Sequence, residues 1–374
     1  MVTVKEVSTR RERREFLDFP LRMYKNNPCF VPPLYMDEKK IFSKNYVYND
    51  TCEAVYFNAY DADGKMVGRI SGIIQRASNS KNGEKRCRFT RFDSVDNQEV
   101  ADALFAAVEK WALEKGMDTV VGPLGFSDLE REGLLIEGFD ELSTFEEQYN
   151  APYYQTLIEN LGYQKEVDWT ESKIYAPDDY DGELDKLSEF VLRRYKLHVG
   201  KAKNANEFLR KYADGLFEIL DKSYEHLYGT VPFSEGMKKL MVDNFKMVIS
   251  PKYCAAVVDE NEKVVLLGIC IPSLSKAVQK SSGHLTPGAL LRILRAMRKP
   301  EILDLCLVGV DPEYLNRGVS TVVSAGLMRM LREDGIRYAE TNLNLEDNYA
   351  IQNLWKRFRE VKHKRRRAYV KKLV

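Results

Sequence analysis

Leu315-Asn316-Arg317-Gly318-Val319-Ser320 is the stretch of this chain best suited to hold an anion. Gly318 lets the backbone come close to a ligand, and Ser320 is small enough to allow the same approach. Val319, Val322, Val323, Leu327, Met330 and Leu331 recur at helical spacing, so a helix starts at this turn. Asp334-Gly335 ends it. The first N–H groups of such a helix lack partners and stand at the positive end of its dipole, an arrangement that suits a pyrophosphate. Arg317 is placed to add a charge-assisted contact, typically worth ~1.5–3 kcal/mol. Asn348 reads as the N-cap of the next helix. Glu340 and Glu346 lie near the end of the intervening strand and are candidates to take a proton, although surface positions suit them better. Tyr369 is a distant candidate to give one.

These residues need a frame. The apolar run 303–310 is long enough for a buried strand, and Asp311-Pro312 breaks it. Residues 336–343 form the next strand, and a basic strand closes the chain. The first half repeats this order with little identity. A turn at Gly64 feeds a strand, Asp96-Asn97-Gln98-Glu99 opens a helix with Ala103, Leu104, Ala107, Val108 and Trp111 on its apolar face, Lys115-Gly116 ends it, and a strand follows. Asn150-Ala151-Pro152 starts another helix, and a strand near 171–175 follows it. Asp93-Ser94-Val95-Asp96 stands where a phosphate turn would be, and two carboxylates there repel a pyrophosphate. The first half therefore reads as a copy without a cofactor site. A linker rich in turn formers lies near 176–182. Helices are expected over 183–196, 205–228 and 234–247.

The order strand, Gly-containing turn, helix, strand, Asn-led helix resembles the GNAT superfamily of N-acetyltransferases. There, a turn of pattern Q/R-x-x-G-x-G/A cradles the pyrophosphate of acetyl-CoA, the preceding strand splays from its neighbour, and an Asn opens the next helix. Gly318 and Asn348 match, while Leu315 and Ser320 depart from the pattern. Where the family usually places a Tyr as general acid, this chain has Trp355, whose indole is a donor only. The run from Asp18-Phe19-Pro20 to Pro33, the GPLGFS loop at 122–127 and the Tyr153-Tyr154 helix also resemble a bacterial group of double-GNAT proteins. The resemblance implies an α/β (α+β) chain of two tandem GNAT-like domains, 1–175 and 176–374, each a mixed twisted sheet flanked by helices. It implies acetyl-CoA or another acyl-CoA as cosubstrate, held by Val308, Val310, Asn316, Arg317, Gly318, Val319, Ser320 and Asn348. The implied activity is N-acyl transfer by direct attack of an amine. The alternatives are a non-catalytic ligand-binding or regulatory protein on a degenerate scaffold, and a Fem-like aminoacyl transferase.

The net charge of +1 gives no global field for nucleic acid. His363-Lys364-Arg365-Arg366-Arg367 is one short basic run, which alternation along a strand would split between two faces. No apolar stretch reaches bilayer length, and the charged N-terminus lacks the apolar core of an export signal. The six cysteines form no C-x-x-C, and the four histidines lack ligand spacing. The expectations are a cytoplasmic protein with no metal, a small-molecule or peptide amine as acceptor, and neither nucleic acid nor membrane as partner. Pro28-Cys29-Phe30-Val31-Pro32-Pro33-Leu34 reads as a packed extended segment, and 122–133 as a Gly- and carboxylate-rich loop at a strand end.

Overall fold

Val100, Ala101, Leu104, Phe105, Val108 and Ala112 recur at three- and four-residue steps and are the buried face of a helix over Gln98–Glu114. Val322, Ala325, Leu327, Met328 and Leu331 do the same over Ser320–Glu333. A computed structural model, which describes residues 1–224 and 227–374, places each helix between two parallel neighbouring strands. In chain order the first elements are β1 (Thr3–Glu6), α1 (Arg10–Met23), α2 (Tyr35–Glu38), β2 (Cys52–Tyr60), β3 (Met66–Gln75), α3 (Arg76–Asn82), β4 (Arg86–Ser94), α4 (Gln98–Glu114), β5 (Thr119–Gly122), β6 (Leu134–Glu137), α5 (Tyr154–Asn160) and β7 (Gln164–Tyr175). There follow α6 (Glu183–Arg194), β8 (His198–Val199), α7 (Ala205–Ser223), α8 (Glu235–Val248), β9 (Cys254–Val258), β10 (Val264–Pro272), α9 (Ser275–Gln279), α10 (Pro287–Arg298), β11 (Ile302–Val310), α11 (Ser320–Glu333), β12 (Tyr338–Thr341), β13 (Asn344–Leu345), α12 (Tyr349–Trp355) and β14 (Arg359–Lys372).

The chain forms two compact units that are discontinuous in sequence, where the sequence suggests a linear division at 175/176. One comprises Met1–Thr170, Leu274–Ile293 and Lys364–Val374; the other comprises Glu171–Ser273 and Leu294–His363. In the first, the strand order is β1-β2-β3-β4-β5-β14, antiparallel except for the parallel pair β4/β5. Its core packs α4 and α5 on this sheet through Phe89, Leu104, Phe105, Val108, Tyr154 and Tyr163. In the second, the order is β7-β12-β11-β10-β9-β8, with β11/β12 the parallel pair. Leu303, Ala325, Met328, Ala339, Trp355 and Phe358 join α11 and α12 to it. The repeat expected from the sequence is thus a repeat of mixed, helix-flanked sheets.

Local differences have physical causes. α7 ends at Ser223, short of the expected residue 228, and Glu225 and His226 of that span lie outside the described residues. Cys29, Phe30 and Val31 of the proline-flanked segment are buried, and Cys29 and Phe30 pack with Tyr24, Leu135 and Tyr149. The basic run of β14 is largely consumed inside the first unit. Arg366 is fully buried, donates to the Gln148 carbonyl and faces Glu147, while Arg367 holds Asp168 through two bonds of 2.8 and 3.0 Å. Among the described residues, no helix is long and apolar enough to cross a membrane.

Candidate functional site

The site is built on β11. Its partner β10 is antiparallel along nearly its whole length, from Leu303↔Pro272 to Val310↔Leu266. Its other neighbour, β12, pairs only from Ile302↔Tyr338 to Leu305↔Thr341. Beyond Leu305, among the described residues, no strand pairs with that edge. The register with β10 shifts at the same point: Leu305 faces Cys270 and Leu307 faces Ile269, so Cys306 is the extra residue of a bulge. Past the bulge the Asp311 N–H reaches back to the Val265 carbonyl at 2.8 Å. Alternation along the strand then turns the N–H and C=O of Val308 and Val310 away from β10, onto the open edge. Two hydroxyls meet their carbonyls there, Tyr224 at 3.1 Å from Val308 O and Ser223 at 2.9 Å from Val310 O. Gly309 makes this approach possible, since a Cβ at that position would stand 2.6 Å from Ile219 of α7.

β11 then runs into the turn that precedes α11. The Asp311 carboxylate accepts from the Glu313 N–H and pairs with Lys263 at 3.1 Å, which fixes the start of the turn. Gly318 adopts φ +72°, a left-handed conformation that side chains other than Asn, Asp and His rarely take. Val319 is fully buried against the packing of α6 and α11, whereas Gly318 is exposed. Among the described residues, the N–H groups of Gly318, Val319 and Ser320 have no hydrogen-bond partner, as the first turn of a helix requires. The Arg317 guanidinium lies over the Tyr314 ring at 4.7 Å and the Tyr195 ring at 5.6 Å, which holds it at the rim of the turn. Asn316 is exposed beside it.

A row of charged groups crosses the same sheet. Asp304 on β11 is level with Glu340 on β12, and Glu340 is level with Lys173 on β7. Leu303 and Ala339 belong to the α11 core, so Asp304 and Glu340 point to the opposite face. Both are buried, and the Glu340 carboxylate lies 3.3 Å from the His363 ring. The expectation of a surface charge at Glu340 is therefore corrected: its strand is interior. The same carboxylate neighbourhood, after burial itself, pushes the Cys270 thiol up to about 12. Glu346 is half-buried after β13, and its carbonyl accepts from Gln352. Asn348 caps α12 by accepting from the Ile351 N–H at 3.2 Å, as expected. Trp355 is a core residue that donates to Asn344 Oδ1 at 3.0 Å. Tyr369 is fully buried in the core of the first unit with its hydroxyl on Glu159 at 3.0 Å, and burial raises its pKa.

The corresponding place in the first unit is filled by protein groups. Asp93 pairs with Arg69 at 2.7 Å, the Ser94 N–H and carbonyl bind the hydroxyls of Tyr154 and Tyr153, and Asn97 caps α4. The sequence does not single out Asp304, Ser223 or Tyr224, and offers His363 only as part of a basic run. A carboxylate inside the apolar run 303–310 was the available signal for Asp304. Ser223 and Tyr224 follow an amphipathic helix with no motif around them.

No family model matches the chain. Protein YghO of Escherichia coli (strain K12) is 26% identical over 381 residues, covering 99% of this chain and 95% of that protein. The bacterial ceramide synthase of Caulobacter vibrioides (strain NA1000 / CB15N) is 24% identical over 384 residues, covering 100% and 98%. Among solved structures, the chain is similar to a tandem GNAT protein from the clavulanic acid biosynthesis pathway, with 12% identity, coverage of 100% and 99%, and a TM-score of 0.56. It is also similar to the GCN5-related glucosamine N-acetyltransferase region of a fungal multi-domain GH3 β-N-acetylglucosaminidase, with 14% identity, coverage of 99% and 38%, and a TM-score of 0.58. The fold of this chain is a tandem GNAT fold.

Proposed function

We propose that the second unit transfers an acyl group from acyl-CoA to an amine. The observation that carries this reading is the open edge of β11 running directly into a helix start whose first N–H groups are free. The pyrophosphate would be held by the N–H groups of Gly318, Val319 and Ser320, with Arg317 and Asn316 at the rim. The pantetheine arm, an amide chain, would pair with the Val308 and Val310 edge as a short strand does, and the amide group of Asn348 would orient it. An N–H of that edge would polarise the thioester carbonyl and stabilise the oxyanion.

The nucleophile must be a neutral amine. Glu340, with His363 beside it and Asp304 on the next strand, would take its proton from the face opposite α11. The N–C bond forms, the C–S bond breaks, and the departing thiolate takes a proton. Trp355 cannot supply that proton, and the Tyr224 hydroxyl at the Val308 carbonyl is the group placed to do so. The full-length likeness to a bacterial ceramide synthase supports an amide as product, since a ceramide is the amide of a long-chain amine. The likeness to GNAT structures supports the acyl-CoA donor through the fold alone. Calorimetric titration with acetyl-CoA and with a long-chain acyl-CoA, followed by a thiol-release assay over an amine panel, tests the reading. Micromolar binding and amine-dependent release are expected; absence of binding at millimolar CoA would sink it. Binding without release fits the second reading, a ligand-binding protein, which the buried Trp355 supports.

A further inference from the structure

α10 spends its apolar residues on solvent. Within Pro287–Arg298 only Ala289 is buried, while Leu290, Leu291 and Leu294 are 47%, 69% and 56% exposed. At 100° per residue, Leu290, Leu291, Leu294 and Met297 fall on one arc. Arg295, Lys299 and Arg292 lie along one side of that arc, Ile293 along the other, and Arg298 falls within it between Leu294 and Leu291. The opposite side, Ala289 and Ala296, is the inward one. Single exposed leucines are ordinary on a protein surface; three on one arc of a short helix, flanked by cations on one side, are not.

The charge of the surrounding sequence is one-sided. Between Glu262 and Glu301 the chain carries no carboxylate side chain, yet it contains Lys276, Lys280, Arg292, Arg295, Arg298 and Lys299. The segment leading into α10 is tied down within the first unit. Gln279 donates to the carbonyls of Pro28 and Phe30 at 2.8 and 3.0 Å, and the Tyr35 N–H donates to Gly283 O at 2.9 Å. The Tyr35 and His284 rings lie 4.4 Å apart, and Thr286 caps the helix through the Ala289 N–H. The N-terminal end of the helix is therefore anchored; the division between the two units falls within α10, after Ile293.

We infer that α10 is a peripheral docking helix for an anionic lipid surface. Leucines entering the acyl boundary with arginines at headgroup level is the arrangement of an interfacial helix, and the arginine stems let their charges reach the phosphates. A second copy is the poorer occupant. Two α10 strips meeting about a twofold axis would bring together two faces that each carry Arg295 and Arg298 and no carboxylate, so the cations would gain no partner. The expectation of no membrane partner rested on the lack of a spanning segment, and docking at the surface needs none. This inference does not depend on the acyl-transfer reading.

The test is flotation of the full chain with vesicles of phosphatidylcholine alone and of phosphatidylcholine with phosphatidylglycerol, at low and high salt. Binding to the anionic vesicles at low salt, weakened by salt, is expected. Leu291→Glu with Leu294→Glu should lower it at least tenfold, and Arg295→Gln with Arg298→Gln roughly 25-fold, about fivefold per cation. Both pairs are exposed, so unchanged melting is the fold control; if the leucine pair melts early, the arginine pair decides. A parent that stays unbound, or a decisive variant that binds as the parent does, overturns the inference. So does a light-scattering dimer that the leucine variant abolishes, since a second copy would then cover the face.

Discussion

Gly318→Asp separates the phosphate role of the turn from its structural role. The nearest atom to a Cβ at this position is Val191 Cγ2 at 3.7 Å, an ordinary contact, so there is room for a side chain. The backbone at φ +72° adds strain of roughly 1 kcal/mol for an L-residue, with Asp and Asn among the better tolerated. A carboxylate beside the first turn of α11 returns about 0.3–1 kcal/mol through the helix dipole. These terms nearly cancel, so the melting temperature should move by no more than a few degrees. Binding should behave differently. One added negative charge about 5 Å from a phosphate charge, at an effective dielectric constant of about 20, costs about 3 kcal/mol. That is roughly a hundredfold in Kd for CoA. Gly318→Asn supplies the same bulk and tolerates the same backbone, so it should lose far less. Calorimetry with CoA, alongside thermal melts of all three proteins, reads both terms. A folded aspartate variant that binds CoA as the parent does, or an asparagine variant equally impaired, would refute the charge argument at this turn.

Tyr224→Phe removes the hydroxyl at the Val308 carbonyl and should lower kcat by about 10²-fold or more with KM little changed if it protonates the thiolate; thiol-release kinetics decide, and an unchanged kcat assigns the hydroxyl to structure. Glu340→Gln should lower the rate chiefly at the lower end of the pH profile's plateau, where the amine most needs a base; a profile that merely scales down without changing shape would argue against proton transfer there. Trp355→Phe strands the buried Asn344 acceptor and should cost about 2 kcal/mol in urea unfolding while CoA affinity holds. Glu132 is buried with one carboxylate oxygen lacking a partner, and burial, with Asp128 next, holds its pKa well above the usual range. A raised carboxyl pKa stabilises the fold below the unfolded-state value and loses that contribution as pH climbs through the folded one. Glu132→Gln should therefore flatten the fall of the urea midpoint above about pH 4.5, and parallel parent and variant curves would reject the assignment.

Element order was readable because its signals are local. Helical spacing at Val322, Leu327 and Leu331 and the Asp334-Gly335 stop are local signals, and the structure places α11 where they put it. α10 lacked such a reading for a physical reason. Its leucines do not face a core, so the periodicity that usually marks a buried face marks an exposed one. The division into units was also beyond local signals, since Lys364–Val374 joins the first unit through β5, a pairing between residues such as Val121 and Val370. Nothing in either strand alone names its partner.

The candidate site divides along the same line. Gly318 and Asn348 were legible because each answers a backbone need, a left-handed turn and a helix cap, that only a few residue types meet. The acid–base groups were not, because they depend on register. Asp304 becomes a candidate only because β12 sets Glu340 level with it and β14 brings His363 within 3.3 Å of that carboxylate. Tyr224 becomes a candidate acid only because the bulge at Cys306 turns the Val308 carbonyl to the open edge. A Trp at the position of the family's acid therefore does not settle whether this scaffold turns over. Under the acyl-transfer proposal the proton would come from the Tyr224 hydroxyl at the Val308 carbonyl, and Trp355 would serve the core through Asn344.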